Sequence, residues 1–181
     1  VTEQLQEIGI DPGAILIEPE GRNTAPAILA AALFEYRKNP DAILVVAPSD
    51  HVINNVDAFQ LAIEEAYKVA LDGQLVTFGI KPTHPETGFG YLELSKISTT
   101  QAVPLKAFVE KPDLTNAEKM FQSGNFLWNS GIFLFQAKDI IEAFKKYSPP
   151  DLDAVNLSLT NSNNDLGFCR LNLTDWVKTE N

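Results

Sequence analysis

Glu110 and Lys111 place a carboxylate and an ammonium group side by side at the end of an apolar run, directly before Pro112. Four other polar or glycine-rich loops end or interrupt apolar runs in the same way, at residues 17–26, 47–53, 85–91 and 128–133. An α/β protein gathers its ligand-binding side chains in loops at the ends of its strands. The pattern therefore predicts one composite binding site that is built from five loops.

The charge of the chain limits which partners it binds. Its 181 residues carry 24 acidic and 14 basic side chains, a formal net charge of −10. Binding to nucleic acid requires a stripe of lysine and arginine against the phosphates, and no such stripe is present, so the sequence argues against a nucleic-acid partner. A small anionic ligand stays open, because it needs only a few local cations such as Arg22 and Lys111.

Cysteine content and hydropathy indicate where the protein works. Cys169 is the only cysteine, so the chain forms no internal disulfide and no cysteine metal cluster, as is typical of a reducing cytoplasm. No apolar run approaches the roughly 18 residues that a membrane-spanning helix needs. The first residues also lack the basic-then-apolar pattern of a signal peptide. We therefore expect a cytoplasmic protein without a membrane partner.

The first eighty residues alternate between strand and helix. Strands are predicted over 14–18, 42–47 and 75–80, and helices after Asn23 and over 57–71. Asn23 or Thr24 is expected to cap the first of these helices, with Pro26 in its first turn, where a missing N–H costs nothing. The alternation predicts a parallel sheet with right-handed crossovers.

After residue 80 the alternation changes. Strands are predicted over 91–94, 103–110 and 126–135, and helices over 116–122 and 139–147. Two strands follow each other without a helix between them, so we expect an antiparallel excursion. Thr115 and Glu118 have the spacing of a capping box, and Gly124 would end that helix. Residues 159–165 are interpreted as a loop, and the whole of residues 1–181 as part of one domain.

Six motifs follow one another in a specific order between residues 15 and 147. They are Glu-Pro-Glu-Gly-Arg-Asn-Thr-Ala-Pro-Ala (18–27), Pro-Ser-Asp-His (48–51), Thr-Phe-Gly-Ile-Lys-Pro-Thr (77–83), Pro-Glu-Thr-Gly-Phe-Gly-Tyr (85–91), Phe-Val-Glu-Lys-Pro (108–112) and Trp-Asn-Ser-Gly-Ile-Phe (128–133). In this order and spacing the chain resembles the mannose-1-phosphate guanylyltransferases, in particular the bacterial type that is often fused to a phosphomannose isomerase.

The resemblance implies a fold and a reaction. The fold is α/β, a Rossmann-like nucleotidyltransferase domain with a mostly parallel sheet flanked by helices and an antiparallel excursion on the sugar side. The reaction joins GTP and mannose 1-phosphate to give GDP-mannose and pyrophosphate, with Mg²⁺ as cofactor. The family's glycine-rich phosphate loop and a second metal-binding aspartate are missing from these residues. We therefore expect a central piece of the enzyme that is inactive alone, and whose unfilled sheet position invites self-association into a homo-oligomer.

The resemblance also assigns site residues. Those assigned to the nucleotide are Arg22, Asn23, Thr24, Ala25, Pro26, Ser49 and Asp50. Those assigned to the sugar are Gly88, Gly90, Glu110, Lys111 and Asn129. Asp50 is in addition the Mg²⁺ ligand, and Asp50 and Lys111 are the catalytic residues.

Several of these residues also have a purely structural interpretation. The loop over 23–26 caps a helix, Asp50 is a common turn residue, and an amide such as Asn129 often satisfies a core. In a regular strand Glu110 and Lys111 point to opposite faces, which argues against an ion pair between them. Trp128 is interpreted as core rather than as a stacking platform.

Two rival functions stay open on the sequence. One is a nucleotidyltransferase that uses another hexose 1-phosphate or another base. The other is a non-catalytic module that binds a sugar nucleotide.

Overall fold

The structure is a computed structural model, and it describes residues 2–96, 98 and 101–179. Within them, the helices are α1 Thr2–Glu7, α2 Thr24–Tyr36, α3 Val56–Leu71, α4 Leu114–Ser123, α5 Ala137–Tyr147, α6 Pro149–Thr160 and α7 Leu173–Trp176. The strands are β1 Ile15–Ile17, β2 Ile43–Val46, β3 Val76–Ile80, β4 Tyr91–Leu94, β5 Leu105–Val109, β6 Phe126–Gln136, β7 Asn163–Asp165 and β8 Phe168–Arg170.

The chain divides into two compact units. One consists of Ile43–Gln136 and is called the central unit below. The other consists of Val1–Ala42 together with Ala137–Asn181 and is called the terminal unit. None of the helices in the described ranges combines the length and the apolar character needed to cross a lipid bilayer.

Strand β6 organises the sheet of the central unit. Leu134 of β6 pairs with Val45 of β2 and also with Val76 of β3, so β2 and β3 lie on opposite sides of β6. Both are antiparallel to β6 and therefore run in the same direction as each other. The start of β6 pairs with β4, which in turn pairs with β5, again antiparallel.

The α/β architecture predicted from the sequence is confirmed, with two corrections to the sheet. The predicted parallel sheet included residues 14–18, but β1 pairs with β8 in a separate sheet of the terminal unit, and this partner lies far later in the chain. Strand β2, helix α3 and strand β3 follow the predicted alternation, and the two strands are parallel in direction. They do not pair with each other, because β6 lies between them, so the sheet is mixed rather than mostly parallel. The inserted strand comes from about fifty residues later in the chain, and local apolar patterns carry no information about such distant pairing.

The register of β4 decides which side chains share a face. Tyr91 pairs with Val109 on one side and with Trp128 on the other, and residues directly opposite one another project to the same face. Helix α4 covers this face through Ala117 and Met120. Trp128 is only 8% exposed, which confirms that it belongs to the core.

Helix α4 starts earlier than predicted. Its N-cap is Asp113, whose side chain accepts a hydrogen bond from Asn116 N at 2.8 Å. The capping box of Thr115 and Glu118 is therefore wrong, because the aspartate directly after Pro112 already satisfies the free N–H groups of the first turn. The predicted end is confirmed, since Gly124 adopts a left-handed φ of 72°.

The terminal unit has its own small sheet. Strand β1 pairs in parallel with β8, and β7 pairs antiparallel with β8. Leu29, Val155 and Trp176 are fully buried at the centre of the helices that surround it. The predicted loop over 159–165 is wrong, because α6 runs to Thr160 and β7 follows. Helix α6 lacks a clear apolar face in its sequence, because polar Ser158 is buried along with its apolar neighbours.

Candidate functional site

Glu110 and Lys111 form an exposed ion pair. The Lys111 Nζ atom lies 3.5 Å from Glu110 Oε1, and the two side chains are 64% and 60% exposed. The predicted separation onto opposite faces is wrong, because β5 ends at Val109 and Lys111 has a φ of +39°. A left-handed lysine costs on the order of 1 kcal/mol and breaks the alternation of a strand. An exposed pair of this kind adds about 0–1 kcal/mol of stability, so a ligand displaces it easily.

Gly90 lies beside this pair and has no room for a side chain. A Cβ atom there would lie 2.8 Å from Phe108 Cζ and 3.1 Å from Glu110 Oε2. The absence of a side chain at Gly90 therefore lets the Glu110 carboxylate reach across the neighbouring strand. Gly90 is buried, and its carbonyl accepts a hydrogen bond from Asn129 N at 2.8 Å.

Asn129 stands on the other side of Gly90. Its side-chain Oδ1 accepts a hydrogen bond from Thr77 Oγ1 at 2.9 Å. Tyr91 pairs with Val109 and Trp128 in antiparallel ladders, so the next pairing positions, Gly90 with Glu110 and Asn129, share the opposite face. The structure thus brings three of the residues predicted for the sugar together on one face of the central unit.

A small cavity of about 90 Å³ also reaches Asn129. Its lining residues are His51, Ile80, Phe89, Trp128, Asn129 and Ser130. Phe89 contacts the Trp128 ring edge-on, with the ring centres 5.3 Å apart. Glu110 and Lys111 do not line this cavity, so they face solvent rather than an enclosed pocket.

The loop that carries Gly88 is locked by Glu86 and Tyr91. The hydroxyl of Tyr91 accepts a hydrogen bond from Glu86 N and donates one to Glu86 O, both at 2.9 Å. Glu86 Oε1 accepts a hydrogen bond from Gly88 N at 2.8 Å, and Glu86 Oε2 lies 3.3 Å from His84 Nε2. The Gly88 N–H, followed by His84, lowers the pKa of Glu86. The Gly88 N–H is therefore already used in a hydrogen bond within the loop that leads to Gly90.

Ser49 and Asp50 follow β2 in a turn, and both are exposed. Among the described residues the Asp50 carboxylate makes no hydrogen bond or ion pair, and no three His, Cys, Asp or Glu side chains group together as a metal site. Mg²⁺ takes one or two protein carboxylates and completes its shell with water and phosphate oxygens. Asp50 therefore fits as one ligand of such an ion, and only as one.

Arg22 is held inside the terminal unit. Its Nη2 atom lies 2.6 Å from Glu20 Oε1 and donates to Val177 O at 3.2 Å. The side chain is 10% exposed, and Trp176 Nε1 holds the same loop by donating to Glu20 O at 2.9 Å. The guanidinium thus fastens the loop to α7, and its predicted contact with a nucleotide stays a prediction.

The start of α2 leaves polar groups accessible. Asn23 is the N-cap by its extended backbone, but its side chain makes no capping hydrogen bond. Thr24 and Ala25 are exposed, whereas Pro26 is buried in the first turn, as expected for that position. This loop belongs to the terminal unit, whereas Asp50 and the predicted sugar residues belong to the central unit. The composite site of five loops stays a prediction.

Sequence reasoning missed three residues that shape the site: Thr77, Glu86 and Tyr91. All three lie within the quoted motifs, but the interpretation gave them no role. Glu86 and Tyr91 stand five residues apart around a turn, and this short spacing could have predicted that they contact each other. No sequence signal predicted the contact of Thr77, because its partner Asn129 lies 52 residues away in the sequence.

Comparison with known proteins finds a matching family model and similar curated proteins. A family model described as nucleotidyl transferase matches residues 2–177. The xanthan biosynthesis protein XanB of Xanthomonas campestris pv. campestris is 49% identical over 169 residues, which cover 93% of this chain and 36% of that protein. The mannose-1-phosphate guanylyltransferase of Escherichia coli K12 is 44% identical over 177 residues, covering 94% of this chain and 37% of that protein. The chain thus spans just over a third of the length of these curated relatives.

One solved structure is similar along almost the whole chain. The crystal structure of mannose-6-phosphate isomerase from Helicobacter pylori superposes with a TM-score of 0.89 at 32% sequence identity. The match covers 99% of this chain and 70% of that one.

Proposed function

The chain belongs to the nucleotidyl transferase family, which confirms the predicted fold class, and on that basis we propose that it is the central part of a mannose-1-phosphate guanylyltransferase. The proposed reaction transfers GMP from GTP to mannose 1-phosphate and gives GDP-mannose and pyrophosphate. The names of similar proteins, one from xanthan biosynthesis and one a mannose-1-phosphate guanylyltransferase, support this substrate pair and a role in polysaccharide biosynthesis.

The observation that carries the proposal is the face shared by Gly90, Glu110 and Asn129. A hexose presents several hydroxyl groups in fixed directions, and it needs donors and acceptors that converge on it from different strands. Glu110 offers an acceptor, the Asn129 amide offers a donor, and Gly90 leaves the space between them free of side-chain bulk. Lys111 beside Glu110 supplies a positive charge for the phosphate of the sugar.

The nucleotide is proposed to bind at residues 22–26 and at Ser49 and Asp50. The free side-chain amide of Asn23 and the exposed Thr24 are groups suited to read the edge of a guanine base. The N–H groups at the start of α2 are further donors for an anionic or polar ligand.

The chemistry asks the protein mainly for alignment and charge neutralisation. An oxygen of the mannose 1-phosphate group attacks the α-phosphorus of GTP, a new P–O bond forms, and the bond to the leaving pyrophosphate breaks. This nucleophile is already ionised at neutral pH, so no general base is required. Lys111 offsets negative charge on the sugar phosphate and holds it in line.

Nucleotidyl transferases generally use a divalent metal ion, and we propose Mg²⁺ here. When bound, Mg²⁺ neutralises phosphate charge, and Asp50 would supply one of its carboxylate ligands. We also propose a cytoplasmic location, where GTP is available. Among the described strands β2 pairs only with β6, so its other edge has no strand partner. Because an unpaired edge can pair with another chain, we propose a homo-oligomer.

A substrate panel with the purified full-length parent enzyme tests this function. Each of GTP, UTP and dTTP is combined with mannose 1-phosphate and with glucose 1-phosphate, and pyrophosphate release is measured. We expect the highest kcat/KM for GTP with mannose 1-phosphate. A preference for another base or another hexose would favour the first rival function. Binding of GDP-mannose without turnover of any pair would favour the non-catalytic module.

A further inference from the structure

Thr77 and Asn129 meet across two strands of the central unit. Thr77 Oγ1 lies 2.9 Å from Asn129 Oδ1 and 3.3 Å from the carbonyl oxygen of Ile132. Both side chains are partly buried. The contact joins β3 to β6, directly beside the face that carries Gly90 and Glu110.

A local irregularity in the pairing of β3 with β6 brings Thr77 close to Asn129. In the ladder Thr77 pairs with Phe133, but the register of β3 against β6 shifts between Thr77 and Gly79, which pairs with Asn129. Bulges of this kind re-aim side chains, and they are common next to active sites. Gly79 allows the close approach, because a Cβ there would lie 2.5 Å from Leu127 Cδ1.

In the structure the Thr77 hydroxyl donates to the amide oxygen of Asn129. The neighbours of Thr77 Oγ1 are two carbonyl oxygens, Asn129 Oδ1 and Ile132 O, and the hydroxyl donates over the shorter distance to Oδ1. The amide oxygen is thereby committed to Thr77. The Nδ2 group, which makes no hydrogen bond among the described residues, is left as a donor of two hydrogens.

We propose that Thr77 is a positioning residue that keeps the amide nitrogen of Asn129 directed towards the sugar; this inference rests on the proposed function. A sugar hydroxyl both donates and accepts, and ionised Glu110 can only accept. A sugar hydroxyl that donates its hydrogen to Glu110 can then only accept a hydrogen bond. Its second protein partner must therefore be a donor. Without Thr77 the amide can rotate and present its oxygen, so that two acceptors would oppose the same hydroxyl.

The first test compares two variants of Thr77 in the full-length parent enzyme. Thr77→Val keeps the shape and removes the hydroxyl, whereas Thr77→Ser keeps the hydroxyl. Loss of one oriented hydrogen bond is expected to raise KM for the preferred hexose 1-phosphate about tenfold in Thr77→Val, and KM for GTP is expected to stay within about twofold. Thr77→Ser should restore the wild-type value. Thr115→Val, an exposed threonine on α4, serves as the control and should change neither KM.

The outcome that overturns the inference is a folded Thr77→Val variant with an unchanged KM for the hexose 1-phosphate, or one with both KM values raised equally. If the parent prefers another hexose 1-phosphate, the proposed substrate is wrong and the variants are read with that sugar.

A second measurement does not depend on turnover. Relaxation of the side-chain ¹⁵N amide of Asn129, assigned through Asn129→Asp, should show a lower order parameter in Thr77→Val than in wild type and in Thr77→Ser. An unchanged order parameter in Thr77→Val would contradict the positioning role, even in a parent that proves to be catalytically inactive.

Discussion

Two loops of this molecule place a cation beside a carboxylate, and the two pairs differ in exposure. Arg22 lies 2.6 Å from Glu20, is 10% exposed and also donates to the Val177 carbonyl. Lys111 lies 3.5 Å from Glu110, and both side chains are more than half exposed. The buried guanidinium holds a loop in place, whereas the exposed ammonium can exchange its partner for a phosphate. The same pair of charges thus fastens a loop in the terminal unit, and we expect it to serve ligand binding in the central unit under the proposed function.

The largest expected effect comes from removing the exposed cation. In the full-length parent, Lys111→Ala should lower kcat/KM for mannose 1-phosphate about 100-fold, because one charged group that stabilises the reacting phosphate is lost. The urea midpoint of unfolding should not change, since an exposed ion pair stabilises little. Lys106→Ala, which removes a neighbouring exposed lysine paired with Glu93, is the control. Equal losses in both variants would show that general charge, rather than position, matters.

The next effect concerns the space beside Glu110. Gly90→Ala should raise KM for mannose 1-phosphate about tenfold, because the new methyl group meets Phe108 and Glu110 and displaces the carboxylate from its place. Phe108 is 47% exposed and its ring can move, so stability should fall little. Gly21→Ala is the matched control, since its Cβ would meet no atom within 4 Å. Unchanged steady-state kinetics in Gly90→Ala would remove Gly90 from the site.

The buried cation should show the opposite pattern. Arg22→Ala should lower the free energy of unfolding of this chain by about 1 kcal/mol, measured by urea denaturation, because the hydrogen bond to Val177 is lost. Lys38→Ala, which removes an exposed pair with Glu35, should change it by less than about 0.5 kcal/mol. If Arg22→Ala kept full stability while KM for GTP in the parent rose strongly, the contrast between the two pairs would fail.

Local signals in the sequence predicted many elements but not how they pair. Alternating apolar runs and turn residues placed β1, α3 and β4 within a residue or two, because these signals act over a few positions. The insertion of β6 between β2 and β3 depends on pairing over a long separation, which no local pattern encodes.

The chemical types of the site residues were also readable, whereas their geometry was not. Asn129 and Glu110 stood out as polar residues in apolar surroundings. That they share a face depends on the register of β4. The ion pair between Glu110 and Lys111 depends on the left-handed backbone of Lys111, which the residue types do not predict. The role of Thr77 depends on a bulge, which the alternation of side chains conceals.

The smallest expected effect is a response of the loop around Gly88 to acid. The Gly88 N–H and His84 lower the pKa of Glu86, so its ionised form stabilises the loop above the ordinary glutamate pKa. This contribution is lost as the pH falls through the lowered value in the folded protein. Hydrogen exchange and the chemical shift of the Gly88 amide should follow that titration. Glu86→Gln should abolish it, and a titration that persists in this variant would assign the change to another group.

A crystal structure of the full-length parent with bound GDP-mannose would show directly whether the sugar binds on the face of Gly90, Glu110 and Asn129. We expect mannose hydroxyl oxygens within about 3.2 Å of the Glu110 carboxylate and of the Asn129 amide nitrogen, above Gly90. We also expect Lys111 to have exchanged Glu110 for a phosphate oxygen. A mannose ring bound elsewhere, with Glu110 and Asn129 both out of hydrogen-bonding reach, would contradict the proposed sugar site.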